Sequence, residues 1–162
     1  MLNNDVLRSL RYIINVTDHK LVEIIGLAGL KVTLEEVRSF LKSDEDPSYL
    51  PCNDNVFAHF LDGLIYFRRG KDETKPPMPF EFPISNNLVL KKLRVAFQLK
   101  EGDLHDLLEA ADYPLGRAEM SAFLRKKDHV NYRECGDQVL RYFLRGLKIK
   151  FRGKDELPLP EW

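Results

Sequence analysis

The residue types best able to do chemistry in this chain come as two matched pairs, Cys52-x-Asp54 and Cys135-x-Asp137, with four histidines elsewhere. A thiol two residues from a carboxylate could supply metal ligands, or a nucleophile with an acid beside it. A zinc site, however, usually takes four ligands in short-spaced pairs. Here each pair offers one thiol, and His19, His59, His105 and His129 fall at unrelated positions. The cysteines are therefore read as buried structural thiols. The aspartates are read as N-caps or first-turn acids of a following helix, where a carboxylate satisfies backbone N–H groups and favours the helix dipole. Catalysis by the two aspartates would require them to converge. The chain has no phosphate-binding glycine loop, no nucleophile elbow and no histidine ligand cluster. The expectation is a protein that is not an enzyme, with no catalytic residue, no metal and no cofactor.

Binding chemistry has more to draw on. Arg141, Arg145, Lys148 and Arg152 follow one another at spacings of 4, 3 and 4, which puts them on one stripe of a helix. The stripe borders an apolar face of Leu140, Phe143, Leu144 and Leu147. Upstream, Arg117, Arg125, Lys126 and Lys127 add more cations, with His129 and Arg133 just beyond. These eight arginines and lysines, His129 and Arg133 apart, are the candidate binding residues. A basic face of this kind suits an acidic protein surface, so the leading expectation is a non-catalytic macromolecular interaction or regulatory module.

The alternative partner is nucleic acid. Two of the predicted helices are joined by a short turn, roughly as in a helix-turn-helix, whose second helix enters the major groove. Arg117, Ser121 and Arg125, four apart, would form its outer face. A second copy of the chain, giving a homodimer in which a basic half meets an acidic half, is a further candidate partner. An enzyme with a site between the two halves is the remaining reading, and it needs a pocket lined by convergent polar groups.

The elements that must position these residues are written twice. Residues 3–70 align with 86–153 at a constant offset of 83 without a gap, and 21 of the 68 positions are identical. Such self-similarity fixes the architecture before any residue is interpreted. Each copy predicts four helices. Val6, Leu7, Leu10 and Ile14 recur at helical spacing in the first, matched by Val89, Leu90, Leu93 and Phe97. Asn3 or Asn4, and Ser85 or Asn86, are natural N-caps. Leu21, Ile24, Ile25 and Ala28 mark the second helix, with Gly29 as its stop; Asp112 takes that place less comfortably in the second copy.

Thr33-x-x-Glu36 is a capping box for the third helix, where the second copy has Gly116 and Glu119. The fourth helix carries Val56, Phe60, Leu61 and Leu64, or Val139, Phe143, Leu144 and Leu147. Gly63 and Gly146 sit inside it, where glycine costs about 1 kcal/mol relative to alanine. Their presence at equivalent positions predicts the close approach of another helix. A proline-rich connector, 71–85, should be extended and lie against the body through Phe80, Phe82 and Ile84, and an irregular tail, 154–162, ends the chain.

The skeleton Asn-Asn-x-x-Leu-x-x-Leu-Arg, Tyr-x-x-Cys-x-Asp and Phe-Leu-x-Gly-Leu, given twice, resembles the YehS-like bacterial family, a domain of unknown function (1456). The resemblance covers residues 3–153 and is most specific from Asn131 to Leu147. It implies a cytoplasmic, all-helical duplicated module and no particular activity. The fold expected is all-α: two copies of a four-helix unit packed into one compact helical body.

The bulk numbers agree. No stretch approaches the roughly 20 apolar residues of a spanning helix, and the N-terminus lacks a signal-peptide pattern, so a cytoplasmic location away from membranes is expected. The net charge of zero conceals an asymmetry. Residues 3–70 carry 8 Lys+Arg against 10 Asp+Glu, whereas 86–153 carry 14 against 9. Opposite signs on two copies of one fold bear on partners, not on folding.

Overall fold

The computed structural model describes residues 1–153; the tail predicted to be irregular lies outside the described residues. Among the described residues the chain forms eight α-helices and no strand. They are α1 (Asn3–Ile14), α2 (Asp18–Leu27), α3 (Leu34–Phe40), α4 (Asp54–Arg69), α5 (Asn86–Ala96), α6 (Glu101–Ala110), α7 (Arg117–Leu124) and α8 (Asp137–Arg152). The chain divides into two units between Ile84 and Ser85, each with four helices.

In the first unit α2 packs along α4, and Leu7, Leu10, Leu21, Ile24, Phe57, Phe60 and Leu64 are shut away from solvent. In the second, α6 packs along α8 around Leu90, Leu93, Leu104, Leu108, Met120, Phe143 and Leu147. The paired glycines explain how closely these helices lie. A Cβ on Gly63 would stand 2.0 Å from the Ile24 carbonyl oxygen, and one on Gly146 would stand 2.2 Å from that of Leu107. The crossing is backbone against backbone, which only glycine admits.

The identical polar residues of the repeat form a staple. Asn4 Nδ2 donates to the carbonyls of Phe40 and Leu50, each at 2.9 Å, and its Oδ1 accepts from Cys52 N at 3.0 Å. Asn87 repeats this with Phe123, Arg133 and Cys135. Asn3 Nδ2 donates to Cys52 O and Asp54 Oδ1, and Asn86 to Cys135 O and Asp137 Oδ1. The first-helix asparagines thus hold the loop before the fourth helix, whose backbone groups have no ladder to pair with.

Those bonds correct one expectation. Leu2, and neither Asn3 nor Asn4, is the N-cap of α1, because both asparagine side chains are committed to the distant loop. Ser85 caps α5 as expected, accepting from Leu88 N at 3.1 Å. The Thr33–Glu36 capping box forms. Gly29 stands past the end of α2 at φ +99°, and Asp112 occupies the left-handed region at φ 59°. In the connector, Phe80 lies 4.4 Å from the His59 ring and Ile84 N donates to Asp54 Oδ2 at 3.2 Å. Phe82 differs from expectation: it is 54% exposed, because the chain bends at Phe82 and Pro83 and the alternation of a straight extended segment is lost.

Candidate basic cleft of the second unit

Of the eight predicted cations, three stand together at the end of α7. Arg125 is the C-cap residue of that helix, and Lys126 and Lys127 open the loop that follows. All three are exposed. Arg125 and Lys126 line an open cleft of about 630 Å³ with Arg94 of α5, Glu101 and Ser121 of the facing helices, and Asp128 and His129 of the loop. The loop is built by turns: His129 N donates to Lys126 O, Tyr132 N to His129 O, and Arg133 N to Ala122 O. Lys91 Nζ donates to Arg125 O at 3.0 Å and Asn131 N to His129 Nδ1 at 2.9 Å, which fix both ends of the basic run. Arg117, at the first position of α7, is exposed on the same helix.

The stripe on α8 is not a continuous solvated face. Arg145 alone among its four members is exposed, and its guanidinium lies 4.8 Å over the Tyr142 ring, itself stacked on Tyr113. Lys148 is only 5% exposed, and Arg141 and Arg152 are half-buried. The stripe borders the apolar face, so the long aliphatic stems of its residues pack there. One signal could have revealed this: the residue equivalent to Lys148 is the apolar, half-buried Ile65.

Sequence reasoning missed Arg94, Glu101 and Asp128 as lining residues. The available signal was again the repeat, because Arg94 matches Arg11 and Glu101 matches Asp18. In the first unit Arg11 Nε donates to Asp18 Oδ1 at 2.7 Å, and Arg38 Nε lies 3.8 Å from Asp18 Oδ2. In the second unit Ser121 replaces Arg38, and its hydroxyl lies against the Glu101 carboxylate and the Arg117 carbonyl. Arg94 Nε donates instead to Leu99 O at 3.2 Å. The three-sided ion pair of the first unit is thereby opened in the second.

Other chemistry is accounted for by structure. Burial, and then the neighbouring carboxylates of Asp54 and Asp137, push Cys52 and Cys135 up to about 12, so both are held as neutral thiols. His105, Asp106 and Glu109 of α6 bring possible ligand atoms within 4.8 Å of one another. Asp106 and Glu109 are exposed, however, and a divalent ion there would keep most of its water. The connection between α6 and α7, residues 111–116, is longer than the three or four residues of a helix-turn-helix. Ser121, the middle residue of the face expected to meet DNA, carries the Glu101 carboxylate beside it.

The profile of a family described as Protein of unknown function (DUF1456) matches this chain twice, over residues 3–70 and 86–153. The chain belongs to the DUF1456 family. Uncharacterized protein YehS of Escherichia coli (strain K12) is 46% identical to it over 150 residues, covering 93% of this chain and 96% of the relative. No solved structure matches. The two DUF1456 segments each run from the first residue of one four-helix set to the glycine after its last helix, so the family unit and the structural repeat are the same object. Among the described residues no helix is long and apolar enough to cross a membrane.

Proposed function

We propose that this DUF1456 protein is a non-catalytic interaction module whose second unit docks an acidic protein segment at the cleft of Arg94, Arg125 and Lys126. The observation that carries this reading is the state of two ammonium groups. Lys126 and Lys127 are exposed, and neither side chain makes a hydrogen bond or ion pair among the described residues. At the same positions of the first unit stand Ser43 and Asp44. The cations are therefore not demanded by the fold, which forms around residues of other charge in the first copy. Lys126 in an open cleft, with Lys127 next to it in the chain and one of the cleft's two carboxylates turned to Ser121, suits a carboxylate-rich segment through steering and specificity.

The test is fluorescence anisotropy with a labelled oligoglutamate peptide and, in parallel, random-sequence double-stranded DNA, at about 50 mM and about 200 mM salt. The peptide is expected to bind at low salt, to weaken at the higher salt, and to lose at least about tenfold in affinity on R125E/K126E, since two reversed contacts exceed about 1.4 kcal/mol. Absence of peptide binding at low salt overturns the reading. Tighter, steeply salt-dependent binding of DNA that the same variant loses would replace it with a nucleic-acid partner.

A further inference from the structure

The loop that supplies the basic cleft occurs twice in the chain with the same turns. Asp46 N donates to Ser43 O, Tyr49 N to Asp46 O, and Leu50 N to Ser39 O. These are the bonds made at the offset of 83 by His129, Tyr132 and Arg133. The backbone is shared, but the net charge of the loop changes sign, although Glu45 and Asp128 are both acidic. Where the second unit carries Lys126, Lys127, Asp128 and His129, the first carries Ser43, Asp44, Glu45 and Asp46.

Asp46 is spent within its own loop, accepting from Ser48 N and Oγ at 2.8 and 2.7 Å. Asp44 and Glu45 are exposed, and neither carboxylate accepts a hydrogen bond or joins an ion pair among the described residues. In the same loop, one position out of register, the first unit thus presents two adjacent anions without internal partners and the second two adjacent cations without them. The counterpart of the cleft in the first unit is not available to anions in the same way, because Arg11 and Arg38 are already turned to Asp18.

From this complementarity we infer that the occupant of the cleft is a second copy of this chain, whose acidic loop, Asp44 and Glu45, docks against Arg125, Lys126 and Lys127. This rests on the preceding reading of the cleft as a dock for acidic segments, and it names the segment. Each contact uses one acidic loop and one basic cleft, so the assembly either closes reciprocally as a two-fold dimer or extends head to tail. Val130, 91% exposed beside the cations, stands where such a contact would cover it. The attraction acts across exposed charges, so salt weakens it.

The experiment is sedimentation equilibrium of the full chain at about 100 µM protein, in about 50 mM and about 500 mM salt. The mass is expected to exceed that of one chain at low salt and to fall toward it at high salt. Two variants are then compared, D44K/E45K and R125E/K126E. Each alone is expected to be monomeric at low salt, and an equimolar mixture is expected to associate again, because the reversed loop of one now matches the reversed cleft of the other. A low-salt mass of one chain for the wild type overturns the inference, as does association that both variants retain, or a mixture that stays monomeric. The oligoglutamate titration separates the two readings. Peptide binding by a monomeric wild type removes self-docking alone, whereas its absence removes the cleft as well.

Discussion

At the scale of the residue, the two thiols show how position decides chemistry. Cys52 and Cys135 are 5% exposed, and burial keeps the proton on sulfur well above the ordinary 9.0, at about 12. The thiolate is the reactive species. Both cysteines are therefore expected to resist a thiol-specific colorimetric reagent at pH 8 in the native protein and to react together once it is unfolded. The same shift carries a stability prediction. Each folded thiol holds its proton more tightly than the unfolded one, so its contribution is complete below pH 9 and is lost as pH rises toward about 12. Denaturation at stepped pH should show stability falling over that window by up to roughly 1.4 kcal/mol per pH unit per thiol. The part due to sulfur should vanish in Cys52→Ala/Cys135→Ala.

At the scale of the element, the glycines give predictions of opposite sign. In Gly63→Ala the new Cβ meets the carbonyl oxygen and carbon of Ile24 at 2.0 and 2.8 Å, and in Gly146→Ala those of Leu107 at 2.2 and 2.7 Å. These are backbone atoms, so α2 or α6 must move away from its partner helix. Each substitution is expected to destabilise by about 2 kcal/mol or more, overpacking outweighing the roughly 1 kcal/mol that alanine adds to a helix. Gly26→Ala, in the exposed part of α2 with nothing within 4 Å of its Cβ, should instead stabilise by about 0.5–1 kcal/mol. Urea titration of the three variants checks both signs. A destabilised Gly26→Ala, or a neutral Gly63→Ala, would contradict the packing described.

At the scale of the molecule, the duplication has separated a shared framework from what the two copies display. The asparagine staple, the glycine crossing and the helix order recur, while the net charge changes from −2 in residues 3–70 to +5 in 86–153. Because caps, staple and core of the first unit are described from its own residues, a fragment of residues 1–84 is expected to keep helical circular dichroism and to unfold cooperatively. A domain of that size buries a modest fraction of its surface, so a stability of a few kcal/mol is expected. A fragment without a cooperative transition would show that the unit does not stand alone.

How much of this was legible differs between framework and site. Helix order, the third-helix capping box and the left-handed positions at Gly29 and Asp112 follow from local patterns that depend on near neighbours in sequence, and the close approach at Gly63 and Gly146 follows from glycine recurring at equivalent positions of the two copies. The cleft does not, because it joins Arg94 of α5 to Glu101 of α6 and to Arg125, Lys126 and His129 beyond α7. Nor does the partition of the cations, since spacing places Arg141, Arg145, Lys148 and Arg152 on one stripe without saying which side of it other helices cover. By itself the sequence determined an all-helical, duplicated DUF1456 protein with opposite charge on its two copies, because periodicity and capping are properties of neighbouring residues and the repeat is read by comparing the chain with itself. Only the tertiary structure decided which charges remain at the surface, because burial depends on what distant segments pack against each helix face.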